Sequence, residues 1–166
     1  MPLLVFSFCR QLLMIVSSGQ NGAPWLAQFF SACSGCNISF IPLHYYGDPQ
    51  SMQSYIEQMH NTYPNYPLWI TEFGYPGLSD SDTLTALNST LQFLDGASYI
   101  ARYSYFPMYR TSDPIPYVGA GGAVMDANGQ LTDVGQLYLG SVSSTKRTRT
   151  VRRSHGKAHR LLRMNS

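Results

Sequence analysis

The sequence predicts an α/β protein built around a parallel sheet. Between residues 24 and 140, short apolar runs alternate with segments in which apolar residues recur at helical spacing. Strand–helix–strand order implies βαβ crossovers, and the strands joined in this way run parallel. The chain of 166 residues is 44% hydrophobic, which suits a globular domain. It is nevertheless too short for a complete (β/α)8 barrel of about 250 residues.

The first predicted helix and strand lie between residues 24 and 43. Pro24 suits the first turn of a helix, and Gly35 follows its end. The apolar residues of this helix share one face: Trp25, Leu26, Phe29 and Phe30. A strand is predicted at residues 38–43. We expect it near a sheet edge because it contains Pro42, which removes a ladder donor.

The remaining elements follow the same alternation. Ser51 is expected to cap a helix with an apolar face, and residues 68–73 (LWITEF) form the next strand. Asp80 or Asp82 caps a further helix, and a third strand covers residues 99–106. Asn128-Gly129 is a turn signal. A short last helix is predicted at residues 133–139.

The two ends of the chain differ from this middle. Residues 1–22 form an apolar segment in which residues 12–16 are a strand or part of an atypical secretory signal interrupted by Arg10. Residues 142–166 form a basic tail, since eight of the eleven basic residues follow Thr145 and all nine acidic residues precede it. We expect the tail to be disordered, with binding to a polyanion as the alternative. No specific nucleic-acid partner is predicted, and no apolar run is long enough for a membrane span.

Three cysteines are present, and two of them form the CxxC sequence CSGC. Because this motif follows a helical segment and precedes a strand, Cys33 and Cys36 are predicted to bridge as a turn staple in an oxidising compartment, with Cys9 unpaired. A zinc site would need more Cys or His ligands nearby than His44 and His60 supply. The sequence therefore predicts no metal site and no cofactor.

The carboxyl ends of the predicted strands carry one carboxylate, one imidazole and many aromatic rings. In parallel sheets, chemistry collects at these ends, and aromatic faces with a few polar groups suit sugar rings. Glu72 is the sharpest candidate because a carboxylate in an apolar strand must be paired or functional. The alternative is a core Glu72 paired with Arg102. His44 is equally a packing residue or a functional one, and Asp48 fits a helix cap better than a catalytic acid.

Five stretches resemble glycoside hydrolase family 128, the β-1,3-glucanases similar to fungal alkali-sensitive linkage proteins. They are WLAQFFSACSGC, ISFIPLHYYG, PLWITEFG, YIARYSYF and DANGQLTDVGQLYLG, in the family's order. The resemblance implies that residues 23–141 are a partial (β/α)8 TIM-type barrel, corresponding to about strands 5/6 to 8. It also implies that Glu72 is the nucleophile of a retaining glycosidase. The substrate-binding residues implied or expected at the same cleft are His44, Tyr45, Tyr46, Trp69, Arg102, Tyr103 and Tyr105.

The sequence departs from this family in one respect that decides activity. The family's acid/base Glu lies in an Asn-Glu-Pro segment, which this sequence lacks. We therefore expect a truncated hydrolase with weak or no activity, or alternatively a non-catalytic glucan-binding or cell-wall module. The expected partner is β-glucan, the expected location is extracellular or the cell wall, and self-association through an open sheet edge is a further possibility.

Overall fold

The protein is described here from a computed structural model that covers residues 16–17, 22–33 and 36–140. The strands are β1 (Val16–Ser17), β2 (Ile41–Tyr46), β3 (Leu68–Gly74) and β4 (Ile100–Tyr105). The helices are α1 (Gly22–Ala32), α2 (Pro49–Thr62), α3 (Asp80–Gly96) and α4 (Asp133–Leu139). The strands lie in the order β1-β2-β3-β4, and all three neighbouring pairs are parallel. The predicted α/β class with a parallel sheet is confirmed.

Two helix starts and one strand start differ from the sequence predictions. Strand β2 begins at Ile41, where the Ile41 amide donates to the carbonyl of Pro67 at 3.0 Å, three residues later than predicted. Helix α2 is capped by Asp48, whose Oδ1 accepts from the amide of Ser51 at 2.8 Å, so Ser51 is not the cap. This confirms that Asp48 is a cap.

Helix α3 begins at Asp80, so its N-cap precedes both predicted caps. Its N-cap is Ser79, and Asp80 and Asp82 lie in the first turn, where negative charge is favourable. The Ser79 hydroxyl accepts from the amide of Asp82. The predicted caps lie one and three positions too late, because Ser and Asp are both preferred N-caps. Helix α4 has the predicted bounds.

One face of the sheet packs against the helices and forms the core. The strands contribute Ile41, Leu43, Leu68, Ile70, Phe73 and Tyr105, all nearly inaccessible to water. The helices contribute Met52, Ile56, Met59, Leu87, Leu91 and Leu94. Burial of this kind stabilises by about 1.5–3 kcal/mol for each large apolar side chain. The opposite face of the sheet carries the polar residues discussed below.

Strand β2 is the second strand of the sheet, next to the edge strand β1, so Pro42 lies near an edge as expected. Among the described residues, β1 pairs with Leu43 and His44, and Pro42 faces Trp69 of β3 in register. Proline lacks an amide donor and is found mainly at or near sheet edges, which fits this position.

A disulfide joins Cys33 and Cys36, with the Cα atoms 5.5 Å apart, as predicted. The predicted turn is also present, with Gly129 at a φ of 81°. Residues 12–15 of the predicted first strand, Cys9, the signal-like segment and the basic tail lie outside the described residues. Within the described ranges, no helix is both long enough and apolar enough to cross a membrane.

Candidate functional site

A β-bulge in β3 determines the direction of Glu72. The register between β2 and β3 shifts at this point, since Leu43 faces Ile70 whereas His44 faces Glu72. Thr71 is therefore the extra residue, and its hydroxyl donates to the carbonyl of Leu43 at 3.4 Å. Simple alternation would place Glu72 on the core face with Ile70. The bulge turns Glu72 to the opposite face, beside His44.

Two side chains contact the same carboxylate oxygen of Glu72. The Tyr46 hydroxyl donates to Oε2 at 2.9 Å, and Nδ1 of His44 lies 3.0 Å from the same atom. Bonds to a charged group are each worth about 1.5–3 kcal/mol, and less where water competes. The Glu72 side chain is 36% exposed and that of His44 is 13% exposed. Both donors therefore orient the carboxylate while leaving it accessible.

Burial sets the protonation of the two donors. It lowers the pKa of His44 below 6.5, and the charge of Glu72 opposes this effect only in part. His44 is therefore neutral at neutral pH, with the Nδ1 proton directed at Glu72 and Nε2 left as an acceptor. Burial, and then the hydrogen bond to Glu72, raises the pKa of Tyr46. Tyr46 consequently remains a donor throughout the physiological range.

Aromatic rings surround this group. The ring of Tyr46 makes edge-to-face contacts with Phe106 and Tyr117, at centroid distances of 5.5 Å and 5.6 Å. Further along the same face, Trp69 stacks on Phe40 at 3.7 Å, and the guanidinium of Arg102 lies 4.8 Å from the Trp69 ring. Arg102 thus stacks on Trp69, whereas the contacts of Glu72 are to His44 and Tyr46.

Four predicted site residues share the face of Glu72, and three do not. The register brings His44, Tyr46, Trp69 and Arg102 to one side of the sheet. Tyr45, Tyr103 and Tyr105 alternate to the helix side, so the expectation that they line the cleft is corrected. Tyr105 is fully buried and its hydroxyl donates to the carbonyl of Gly122.

The other two tyrosines have partners on the helices. Tyr45 packs on Tyr55 of α2 with centroids 5.8 Å apart, and the Tyr103 hydroxyl donates to Asp95 of α3 at 2.5 Å. Their assignment failed because neighbouring strand residues face opposite sides: Tyr45 follows His44, and Tyr103 follows Arg102.

Sequence reasoning did not single out two rings at the site, Phe106 and Tyr117. Phe106 is one of the many aromatic rings expected at the strand ends, without a role of its own, and Tyr117 lies in the long loop after β4. The segment PIPYVGAGG carries a signal of its own, because an aromatic residue between prolines and glycines is typical of an ordered loop. Only the structure shows that this loop returns to Tyr46.

Several other carboxylates of the described chain have structural partners. Asp48 caps α2, Glu57 accepts from Gln53, and Asp126 accepts from two amides in its turn. Asp80 accepts from the amide of Gly122. Within the described residues, no group of three or more His, Cys, Asp or Glu side chains is arranged to hold a metal ion. Glu72 is the carboxylate that stands on the polar face of the sheet.

Comparisons with known proteins agree with this architecture. Residues 10–138 match the family model described as the glycosyl hydrolase catalytic core. Alkali-sensitive linkage protein 1 of Schizosaccharomyces pombe is 38% identical over 131 residues, covering 71% of this chain and 23% of that protein. The chain therefore spans about a quarter of the length of this curated relative.

Solved structures show the same likeness. A glycoside hydrolase family 128 (subgroup IV) endo-β-1,3-glucanase from Lentinula edodes superimposes with a TM-score of 0.68 at 33% identity, covering 74% of this chain and 53% of that one. A subgroup VII oligosaccharide-binding protein from Trichoderma gamsii superimposes with a TM-score of 0.58 at 22% identity, covering 70% and 46%. The chain belongs to the glycosyl hydrolase catalytic core family, in the branch of glycoside hydrolase family 128.

Proposed function

We propose that the protein binds β-1,3-glucan on the polar face of the sheet and that Glu72 is the nucleophile of a retaining glycosyl transfer. The observation that carries the proposal is that the Tyr46 hydroxyl donates to Oε2 of Glu72 while Nδ1 of His44 lies 3.0 Å from the same oxygen. They fix the carboxylate by one oxygen, while Oε1 receives no hydrogen bond from the described residues. An oriented carboxylate with one oxygen open is what attack on an anomeric carbon requires.

The first chemical step balances as a displacement. Oε1 of Glu72 bonds to the anomeric carbon, the bond from that carbon to the leaving oxygen breaks, and the leaving oxygen takes the electron pair. Water later attacks the same carbon and restores the carboxylate. For a sugar leaving group, an acid must protonate the departing oxygen, which is worth about 10²–10⁴ in rate. We propose that this chain lacks that acid and hydrolyses natural glucan weakly or not at all.

The relatives' lengths support a further part of the proposal. The matched solved structure is about twice as long as the region it shares with this chain. We propose that the sheet of four strands corresponds to the last strands of a (β/α)8 barrel, spanning residues 23–141. Strand β4 has one neighbour within the described sheet, so its other edge is a candidate for self-association. An extracellular or cell-wall location fits the disulfide, because disulfides persist in oxidising compartments.

The role of Glu72 as nucleophile is tested with an activated glycoside whose leaving group departs without protonation by an acid. In 2,4-dinitrophenyl β-laminaribioside the leaving group is a stable anion, so Glu72 alone can displace it. We expect one equivalent of dinitrophenolate to be released with a matching glycosyl mass increment on the peptide that contains Glu72. The Glu72→Gln variant is expected to lose both signals. Glu57→Gln, which changes an exposed carboxylate on α2 held by Gln53, is the matched control.

Two results would overturn the assignment. One is a glycosyl adduct on a different carboxylate. The other is release of dinitrophenolate that is unchanged in Glu72→Gln. Reducing-end release from laminarin is measured beside this assay, and we expect it to be very low. Turnover at the rate of ordinary glycosidases would refute the proposal that this chain lacks the acid. Asp48, at the end of β2, would then be the first residue to substitute.

A non-catalytic glucan-binding module is the second candidate. It is favoured by one specific observation: an oligosaccharide-binding protein of the same family shares this fold. This candidate predicts binding of laminari-oligosaccharides with no adduct on Glu72. Calorimetric titration of the wild type together with mass analysis of the activated donor separates the two candidates. Binding through the basic tail is tested by the same titration with heparin at increasing salt.

A further inference from the structure

Tyr117 is a large aromatic side chain that the fold leaves open to water next to the nucleophile. It is 66% exposed, the highest value among the exposed large hydrophobic side chains of the described residues. Its ring nevertheless contacts Tyr46, whose hydroxyl donates to Glu72. One tyrosine therefore separates an exposed aromatic ring from the carboxylate. A single exposed aromatic ring is common on protein surfaces, and what distinguishes Tyr117 is its contact with the side chain that donates to Glu72.

The loop that carries Tyr117 is fixed to the body of the protein. Val118, the next residue, is 2% exposed, and its carbonyl accepts from the amide of Gly77 at 3.3 Å. The hydroxyl of Tyr109 donates to the carbonyl of Gly119 at 2.6 Å. The prolines at positions 114 and 116 restrict the backbone just before Tyr117. The ring thus projects from an ordered backbone, so little conformational entropy is lost when a ligand packs on it.

A second anchor holds the far side of the loop. The amide of Gly122 donates to Asp80 at the start of α3, and its carbonyl accepts from the buried hydroxyl of Tyr105. These two contacts, with α3 and with a core residue of β4, therefore fix the position of the loop that carries Tyr117. This arrangement resembles other binding loops, in which a rigid scaffold positions an exposed aromatic residue.

We propose that Tyr117 is a sugar-stacking residue that binds a glucose ring of β-1,3-glucan adjacent to the ring held at Glu72. The inference rests on the proposed function and extends it to a residue outside the strands. A glucose ring presents C–H groups on its faces and hydroxyls at its rim. The face of Tyr117 contacts the C–H groups, while Nε2 of His44 and Oε1 of Glu72 are the nearby acceptors for hydroxyls.

The inference makes a claim about chain length. A ligand that reaches only the Glu72 position gains nothing from Tyr117, whereas a longer one does. We therefore expect affinity to increase from glucose to laminaritetraose in the wild type and to increase much less in Tyr117→Ala. This dependence distinguishes stacking from a general loosening of the site, which would weaken all ligands alike.

The experiment is calorimetric titration of the full chain with laminaritetraose and with glucose. Three variants are compared with the wild type: Tyr117→Ala, Tyr117→Phe and Trp25→Ala. Trp25 is a matched control because it is an exposed aromatic residue, 38% accessible, whose stacking partner is Phe29 on α1. Thermal unfolding of each variant is recorded so that the comparison is made between folded proteins.

We expect Tyr117→Ala to bind laminaritetraose about tenfold more weakly, which corresponds to about 1.4 kcal/mol. Tyr117→Phe keeps the ring and is expected to stay within about twofold of the wild type, because an exposed hydroxyl contributes little. Trp25→Ala is expected to bind as the wild type does. Wild-type affinity in Tyr117→Ala, or an equal loss in Trp25→Ala, overturns the inference and leaves the proposed function intact. A wild type that binds no laminari-oligosaccharide overturns the proposed function and the inference with it.

Discussion

Gly122 joins the long loop after β4 to helix α3, and its replacement by alanine tests that joint directly. The residue has a φ of +85°, and an added Cβ would lie 2.6 Å from both Cγ2 of Thr83 and the hydroxyl oxygen of Tyr105. Thr83 and Tyr105 are 1% and 0% exposed, so neither can move aside into solvent. Gly119 offers a matched control, because it has the same φ of +85° but no atom within 4 Å of the added Cβ.

The expected magnitudes follow from separating backbone strain from steric overlap. Left-handed backbone costs an L-residue about 1–2 kcal/mol, and the smaller entropy of the unfolded alanine chain returns about 0.4–1 kcal/mol. Gly119→Ala should therefore lose about 1 kcal/mol or less. Gly122→Ala adds overpacking of about 1–3 kcal/mol and weakens the hydrogen bond from Tyr105. We expect it to lose about 2 kcal/mol more than Gly119→Ala.

Urea unfolding followed by tyrosine and tryptophan fluorescence measures both variants. With a slope of about 1–3 kcal/mol per molar urea, the midpoint of Gly122→Ala should fall roughly 1 M below that of Gly119→Ala. Binding of laminaritetraose should weaken in Gly122→Ala as well, since the displaced loop carries Tyr117. Equal midpoints for the two variants would show that the contact of Gly122 with Thr83 and Tyr105 does not hold the loop, and the reasoning about the anchor would fail.

Three further changes test other parts of the structure. Burial lowers the pKa of His44 below its unfolded value of 6.5, so the unfolded state binds more protons than the folded state below that pH. The free energy of unfolding should therefore fall as the pH decreases from about 6.5. In His44→Gln, the urea midpoint should fall less between pH 7 and pH 5. Asp48→Ala removes the cap of α2 and should cost about 1 kcal/mol by the same measurement, whereas Asp48→Asn should retain most of it. Tyr55→Phe removes a buried hydroxyl without a partner among the described residues, so the thermal midpoint should stay the same or rise. Tyr75→Phe removes a hydroxyl that donates to Thr90 and should lower the stability by about 1 kcal/mol. A lower thermal midpoint for Tyr55→Phe than for Tyr75→Phe would contradict this reasoning.

The type and order of the elements could be predicted from the sequence because apolar residues recur at different spacings in its strands and helices. Residues 68–73 are apolar over too short a run for a helix, and the leucines of α3 recur at helical spacing, so type and order were predicted correctly. The boundaries of the helices were harder to predict. Ser79 and Asp80 are both good caps, and only the backbone geometry shows which of them is the N-cap.

The site could be predicted only in part because strand pairing, and not sequence position, decides which face a residue occupies. Glu72 is two residues from Ile70 and four from Leu68, so an unbroken strand would bury its carboxylate against the helices at a cost of several kcal/mol. One bulged residue, Thr71, reverses the faces for Glu72 and returns Phe73 to the core. Strand β2 alternates without interruption, so His44 and Tyr46 share the face that Glu72 reaches and Tyr45 stays on the helix side. A strand that combines a complete apolar core with an accessible carboxylate at its end needs such a bulge, and the register shift in β3 supplies it.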